Sequence, residues 1–459
     1  MVMTKKILVL TTEPLPFPGM ETTGAGLRAW GLSEGLRSSG FDVFPTMPFQ
    51  TLLQKNEYLK NKLTPFCFDR LNLNAFVKAQ KTDIVILQHW GLFKDLGEID
   101  CPLVIDLAGP HLLERQYWGS KDSEGDLLEK LSALRAADFL ICSGKFQRLY
   151  FLPFLSLAAW KIDDSSLPVI PFSISPSPSS ENKDIEKNLF VYAGRFLPWQ
   201  NPEKPIRWLL ETFNERNKGH LVLFGGFHPF GDVSEGKFLP FINELNKHPR
   251  VSFKGTVPFW ELLNEISKAS VALDLLPRNP ERQLAFTSRT MVFLWAGVPV
   301  IYNDYSELSQ IIERYNTGWI INPEDEGRFK NLINQLLDEP QKIEKMRSNI
   351  PAFRTDYSWD KTIKPLVDFC KNPEFRKNKT RTMLSFESKE VRIRNLEKAL
   401  SFAESELLTL KGNFFVRVAS KLQKFSTFIS PLIFIILLPI SIFLIVIFIL
   451  FDSIIKTPE

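Results

Sequence analysis

Short apolar segments alternate with helical segments through most of the chain, and this alternation limits the possible folds more than any other feature. The apolar segments are residues 7–10, 41–44, 83–87, 103–105 and 139–142, and then 189–192, 221–224, 251–253, 271–274 and 298–301. Runs of this length are typical of strands that are buried on both faces of a parallel sheet. Strands that alternate with helices predict right-handed βαβ units. The sequence therefore predicts an α/β protein with two parallel sheets.

Composition agrees with a two-domain globular protein. The 459 residues are enough for two ordinary domains and extra elements. The net charge of +4 is too small to indicate nucleic acid as a partner. The four cysteines and five histidines are scattered, which favours a reducing compartment and argues against a disulfide framework or a metal site. A polar, proline-rich stretch at 173–188 is predicted to link a first domain (1–172) to a second (189–348).

Residues 277–301 carry the strongest functional signal. They read as a loop, a pair of cap candidates (Thr287 and Ser288), a three-turn apolar helix and a strand. A helix that begins after a loop at the edge of a parallel sheet points free N–H groups at the crevice. With Arg289 and Thr290, these groups could bind a diphosphate. The alternative is an ordinary strand–loop–helix–strand unit with no ligand.

Three short motifs in this region resemble a known family. They are Ser-Arg-Thr at 288–290, Leu-Trp-Ala-Gly at 294–297 and Tyr-Asn-Asp-Tyr-Ser-Glu-Leu at 302–308. The segment resembles the donor site of retaining glycosyltransferases of family four, which have two Rossmann domains (the GT-B fold). The resemblance spans about residues 5–370. It implies two Rossmann-like domains facing a cleft, a nucleoside-diphosphate-sugar co-substrate bound by the second domain, an acceptor bound by the first, and no metal or other cofactor.

The resemblance also implies site residues in the first domain. Gly24 and Gly26 match a glycine-rich loop that faces the donor phosphates, although glycines ease tight packing just as often. His111 matches a histidine that contacts the donor sugar, with His89 as the reserve candidate. Acceptor-side residues are expected just past this loop, at Arg28, and beyond the strand that ends at 105, at Asp106 and Glu114.

In the second domain, Arg195 directly follows a strand and is expected to bind phosphate oxygens; the alternative is a surface salt bridge. Two departures from the family pattern stand beside it. Gln200 occupies the position of a lysine, and Leu284 and Val292 occupy the positions of two glutamates. The nearest carboxylate is Glu281, which could orient the sugar or simply pair with its neighbouring arginine.

The C-terminal part is predicted to contain a return helix packing on the first domain (349–380), a short heptad helix (385–411), a basic amphipathic helix (412–428) and one transmembrane helix (429–451). Residues 425–451 contain no charged residue, and about 20 apolar residues suffice to cross a bilayer. Four basic residues precede this run and one follows it, which predicts that the catalytic body is cytoplasmic. The heptad helix could mediate self-association or pack on the body.

Together these features predict a membrane-anchored glycosyltransferase that modifies a lipid-linked or surface-glycan acceptor, as in polysaccharide biosynthesis, at the cytoplasmic membrane face. The departures at 200, 284 and 292 keep an alternative open, a catalytically degenerate GT-B module that acts as a membrane-tethered scaffold in glycan assembly. A nucleotide-sugar epimerase on the same fold is a third possibility that no sequence feature favours.

Overall fold

The structure is a computed structural model that describes residues 4–119, 122–177, 184–226 and 236–384, together with a few single positions between 397 and 421. By its internal contacts the chain divides into two units, Met1–Ser385 and Phe386–Glu459. The first unit holds two parallel sheets.

The first domain is built on strands β1 to β6 and helices α1 to α7. The strands are β1 (Lys6–Leu10), β2 (Asp42–Pro48), β3 (Cys67–Phe68), β4 (Ile84–Leu87), β5 (Leu103–Leu107) and β6 (Phe139–Cys142). The helices are α1 (Gly24–Ser38), α2 (Glu57–Leu63), α3 (Leu73–Gln80), α4 (Phe93–Leu96), α5 (His111–Tyr117), α6 (Ser123–Ala136) and α7 (Lys145–Leu157).

The second domain repeats this plan. Its strands are β7 (Leu189–Arg195), β8 (His220–Gly226), β9 (Val251–Gly255), β10 (Val271–Asp274), β11 (Val300–Asn303) and β12 (Gly318–Ile321). Its helices are α8 (Glu203–Glu215), α9 (Leu239–Lys247), α10 (Phe259–Ser267), α11 (Pro280–Leu284), α12 (Ser288–Trp295), α13 (Glu307–Tyr315), α14 (Glu326–Asp338) and α15 (Pro340–Asp356).

Both sheets have the strand order of a Rossmann fold. Within the described residues the first sheet runs β3-β2-β1-β4-β5-β6 and the second β9-β8-β7-β10-β11-β12, and every pairing is parallel. In each sheet the order reverses beside the first strand, between β1 and β4 and between β7 and β10. Ligands of such sheets bind beyond the carboxyl ends of the strands at this switch point. The prediction of two Rossmann-like parallel-sheet domains is confirmed.

The central strands are buried on both faces because their side chains alternate between two apolar cores. In β1, Ile7 and Val9 enter one core while Leu8 and Leu10 enter the other. Strand β7 divides its side chains between two cores in the same way. This period of two explains why continuous apolar runs, rather than alternating ones, mark these strands in the sequence.

The chain crosses back to the first domain after α15. Helices α16 (Trp359–Thr362) and α17 (Lys364–Lys371) lie within the segment predicted as the return helix. Ile363 and Leu366 pack in the same core as Ile7. The backbone of Ile174 pairs with Ser358, so the two crossings between the domains lie side by side.

Direct contacts also join the domains. The Glu307 carboxylate accepts a hydrogen bond from the backbone N–H of Phe146 at 3.1 Å, at the start of α7, where no side chain of that helix supplies a cap. The indole of Trp260 donates to the carbonyl of Pro16 at 2.7 Å. These contacts join α7 to α13 and the segment between β1 and α1 to α10.

The predicted heptad, amphipathic and transmembrane helices (385–411, 412–428 and 429–451) lie outside the continuously described residues and stay predictions. Among the helices that are described, none is long and apolar enough to span a membrane.

Candidate active site

A cavity of about 560 Å³ lies between the two domains, beyond the carboxyl ends of both sheets. The segments that follow β1 and β4 line it from the first domain, and those that follow β7 and β10 line it from the second. Both switch points therefore open into one cleft. Nine predicted site residues line it: Gly24, Arg28, His111, Glu114, Arg195, Glu281, Thr287, Ser288 and Arg289.

Helix α12 begins at this cavity, as the sequence predicts, and Arg289 is its second residue. The guanidinium of Arg289 donates to Asp274 at 3.0 Å and to Gln200 at 3.1 Å, and it lies 4.7 Å from the ring centre of Tyr192. Its Nε is buried and has no hydrogen-bond partner in the described part of the chain. Arg289 is thus held rigidly at the helix start, where an anion is favoured.

The start of α1 approaches the start of α12 across the cleft. A Cβ atom placed on Gly24 would lie 2.5 Å from Oγ of Ser288, so only glycine permits this approach. Gly26 packs against the carbonyl of Pro14 and does not line the cavity. Thr287 caps α12 only by its backbone position, because its hydroxyl pairs with Tyr302 at 2.7 Å. Two helix N-termini therefore meet at one place.

Arg195 adds a second cation at the end of β7. Burial lowers its pKa, and the nearby carboxylates of Glu13 and Glu114 oppose that shift. Burial likewise raises the pKa of Glu13, against the attraction of Arg195. A guanidinium keeps its charge despite such shifts. Arg195 and Arg289 therefore line the cavity beside the two helix starts, with the carboxylates of Glu13 and Glu114 nearby.

His111 is fixed by its neighbours. Its Nδ1 lies 3.0 Å from Oε2 of Glu114, and its Nε2 is buried without a partner among the described residues. The carboxylate beside Nδ1 orients the imidazole ring of His111, which lines the cavity. His89 lies against it, with ring centres 4.3 Å apart, and burial lowers the pKa of His89 well below its usual range.

Glu281 joins this cluster from the second domain. Arg282 forks onto its carboxylate, at 2.5 and 2.6 Å. Burial raises the pKa of Glu281, and Arg282 opposes the rise. Burial also acts to raise the pKa of Glu114. His111, Arg282 and a hydrogen bond with Glu281 act in the opposite direction, and the net effect is a lowered pKa for Glu114. The pKa values of the two carboxyl groups are therefore shifted in opposite directions, upwards for Glu281 and downwards for Glu114.

Three predicted site residues are paired inside the protein instead. Arg28 lines the cavity but donates to both oxygens of Asp106, at 2.9 and 3.0 Å. The sequence predicted that the strand ends at 105, and this is wrong: β5 continues to Leu107. Asp106 consequently lies within the strand and is buried. Thr290 is also buried, and its hydroxyl donates to Asp274 at 2.6 Å. Thr290 therefore helps to hold the carboxylate that binds Arg289.

The positions that depart from the family pattern are informative. Val292 lines the cavity, so its isopropyl group offers no acceptor where a glutamate is expected. Leu284 is half-buried and does not line the cavity. Gln200, in place of a lysine, is occupied in orienting Arg289.

Sequence reasoning missed several cavity residues: Glu13, Arg282, Trp118 and Trp199. Glu13 could have been found by the rule that selected Asp106, because it follows β1 closely. The two tryptophans carry no sequence signal that separates them from core residues. Among the described residues, no group of three or more His, Cys, Asp or Glu side chains could hold a metal ion.

Comparisons with known proteins agree with this geometry. Residues 174–353 match the family model described as "Glycosyl transferases group 1". That segment contains the second domain with Arg195, Glu281 and α12. No curated protein matches the chain in sequence.

Solved structures share the whole two-domain architecture. Sucrose-phosphate synthase from Thermosynechococcus elongatus is 17% identical, with a TM-score of 0.57 over 80% of this chain and 98% of that one. HepE of Anabaena, solved with UDP-glucose, is 15% identical, with a TM-score of 0.55 over 80% and 99%. An α-glucosyltransferase solved with UDP and DNA is 12% identical, with a TM-score of 0.54 over 80% and 100%. The fold is therefore the GT-B fold of glycosyltransferases.

Proposed function

We propose that this protein is a retaining, metal-independent glycosyltransferase that takes a sugar from a nucleoside-diphosphate-sugar. The observation that carries the proposal is the convergence of two helix N-termini with Arg195 and Arg289 on one cavity at both switch points. A diphosphate is the ligand class that such a surface favours. Structures of similar fold were solved with UDP or UDP-glucose, so uracil is the first base to test.

The chain's own residues suit the steps of such a transfer. Arg195 and Arg289 would stabilise the charge that develops on the departing diphosphate, usually a large part of catalysis. Nε2 of His111 would form a hydrogen bond with a donor-sugar hydroxyl. Glu281, held by Arg282, would face the same sugar. The bond from C1 to the diphosphate breaks, the acceptor oxygen bonds to C1 on the same face, and the acceptor proton passes to the departing phosphate oxygen.

We further propose that the protein is anchored in a membrane by residues 412–451, with its catalytic body in the cytoplasm and a lipid-linked or surface-glycan acceptor. The uncharged run at 425–451 and the basic residues before it support this. If the proposal is right, the full chain stays in the membrane pellet after alkaline extraction. A chain ending at 384 would be released, and retention of that shortened chain would contradict the anchor.

Thermal unfolding of the full chain with nucleoside diphosphates and their sugars tests donor binding. A ligand at 100 times its dissociation constant adds about 2.7 kcal/mol to stability if it binds only the folded protein. We expect one base to raise the melting temperature, and Arg195→Ala to abolish the rise. Arg328→Ala, which removes an exposed arginine of the same domain outside the cavity, should leave the rise intact.

The second candidate function is a non-catalytic scaffold that keeps the nucleotide site. Val292, which brings an apolar side chain into the cavity where a glutamate is expected, favours it. Nucleotide binding without any turnover of the nucleotide-sugar would support the scaffold over the enzyme.

A further inference from the structure

Three aromatic side chains cluster at the mouth of the cavity. Tyr117 and Trp118 lie at the end of α5 in the first domain, and Trp199 lies in the loop after β7 in the second. The rings of Tyr117 and Trp118 each have their centres 5.9 Å from that of Trp199, with interplanar angles of 28° and 41°. Tyr117, Trp118 and Trp199 together form an aromatic platform.

Two of the three platform side chains are exposed. Trp118 is 52% exposed and Tyr117 is 39% exposed, whereas Trp199 is buried beneath them. Of the large hydrophobic side chains that are exposed in the described part of the chain, Trp118 alone lines the cavity. Burial of tryptophan is strongly favoured, so an exposed indole at a cavity mouth points to a ligand that covers it.

A second observation also points to a ligand. The indole N–H of Trp199 is buried and has no hydrogen-bond partner within the described residues, although Trp199 lines the cavity. Buried donors of this kind are normally satisfied. The same place therefore offers an uncovered apolar face and an unused polar donor.

A sugar ring matches both features. One face of a pyranose presents C–H groups that pack on an aromatic ring, whose face carries partial negative charge, and its hydroxyls accept N–H donors. The residues that line the cavity include Arg70, Arg115 and Gln200, whose side chains carry hydrogen-bond donors.

We propose that the aromatic platform is an acceptor subsite, in which Trp118 stacks on the C–H face of a pyranose, so that the acceptor is itself a sugar. The inference rests on the proposed glycosyltransferase function and specifies its second substrate. Trp118 belongs to the first domain, opposite the helix α12 that would hold the donor diphosphate. A sugar stacked at the mouth extends a hydroxyl inwards towards the donor.

The test uses the full chain in a detergent without sugar headgroups, with the nucleotide-sugar that stabilises it most. Two activities are measured: hydrolysis of the donor by water, and transfer to a panel of methyl pyranosides, to glycerol and to n-octanol. Trp118→Ala should raise KM for the best methyl pyranoside at least tenfold. It should change donor hydrolysis and transfer to glycerol less than twofold. Trp118→Phe, which keeps a ring, should stay within threefold of wild type.

Tyr58→Ala removes an exposed aromatic side chain remote from the cavity and should have no effect. The proposal is overturned if Trp118→Ala leaves the pyranoside KM unchanged, or if it impairs glycerol transfer or donor hydrolysis equally. It is also overturned if wild type hydrolyses the donor but accepts no pyranoside, or prefers n-octanol. Absence of both donor binding and donor hydrolysis in wild type would instead refute the proposed function.

Discussion

Replacement of Arg28 by alanine should destabilise the first domain severely, without acting through the acceptor. Arg28 uses its whole guanidinium inside the protein. It donates to both oxygens of Asp106 and, at 2.7 and 2.8 Å, to the carbonyls of Ile170 and Pro171. The side chains of the pair are 3% and 0% exposed. Arg28→Ala would therefore leave a carboxylate buried without its cation.

Breaking a buried ion pair from one side costs about 3–5 kcal/mol. For a domain of this size, each kcal/mol lowers the melting temperature by roughly 2–4 °C, so the fall should be roughly 6–20 °C. Arg216→Ala breaks an exposed Arg–Asp pair, with Asp338, and should cost less than about 1 kcal/mol. Arg28→Met combined with Asp106→Leu should recover part of the loss. Thermal unfolding followed by tryptophan fluorescence measures all three variants.

A different result would refute this reasoning. If Arg28→Ala melts within about 1 kcal/mol of wild type, the buried pair does not hold the domain together. If that variant also raises KM for the acceptor, Arg28 contacts the acceptor, as the sequence resemblance implies.

Three further predictions follow from charged groups. Arg289→Ala removes a charged donor and should weaken nucleoside-diphosphate binding roughly 10- to 150-fold by calorimetry, against less than fivefold for Gln200→Ala. Burial lowers the pKa of His89 in the folded protein below its unfolded value of about 6.5. The stability that neutral His89 permits is therefore present above that pH and is lost as the pH falls. His89→Asn should flatten the decline of melting temperature between pH 7 and 5. Burial lowers the pKa of Lys130 to about 7, so Lys130→Met should raise the melting temperature most below pH 7 and least near pH 10.

Much of the fold could be predicted because its strands are buried on both faces. Runs such as 271–274 contain apolar residues that serve two cores, and the structure places β10 at those residues. Strand β3 was missed because it is only two residues long, too short for any periodicity. Strand β11 begins two residues later than the predicted 298–301, because Gly297 and the following turn extend the connection from α12.

The site was predictable where the residue type itself carries the chemistry. The helix start at 288 and the arginine at the end of β7 follow from capping residues and strand ends, and both line the cavity. Sequence position could not show where side chains point. Asp106 and Thr290 therefore looked like site residues although they support others from within the protein. Nor could it show contacts between domains, such as Gly24 against Ser288, which create the cleft surface.

The most direct test of the central claim is whether the full chain turns over the nucleotide-sugar that it binds. Proton NMR of the reaction with the best-binding donor would follow release of the nucleoside diphosphate and the anomeric configuration of the sugar as it is transferred. We predict release that is lost in Arg195→Ala, with the sugar keeping the donor's configuration. Tight, Arg195-dependent binding without any release would contradict an enzyme and identify the chain as a nucleotide-sugar-binding scaffold.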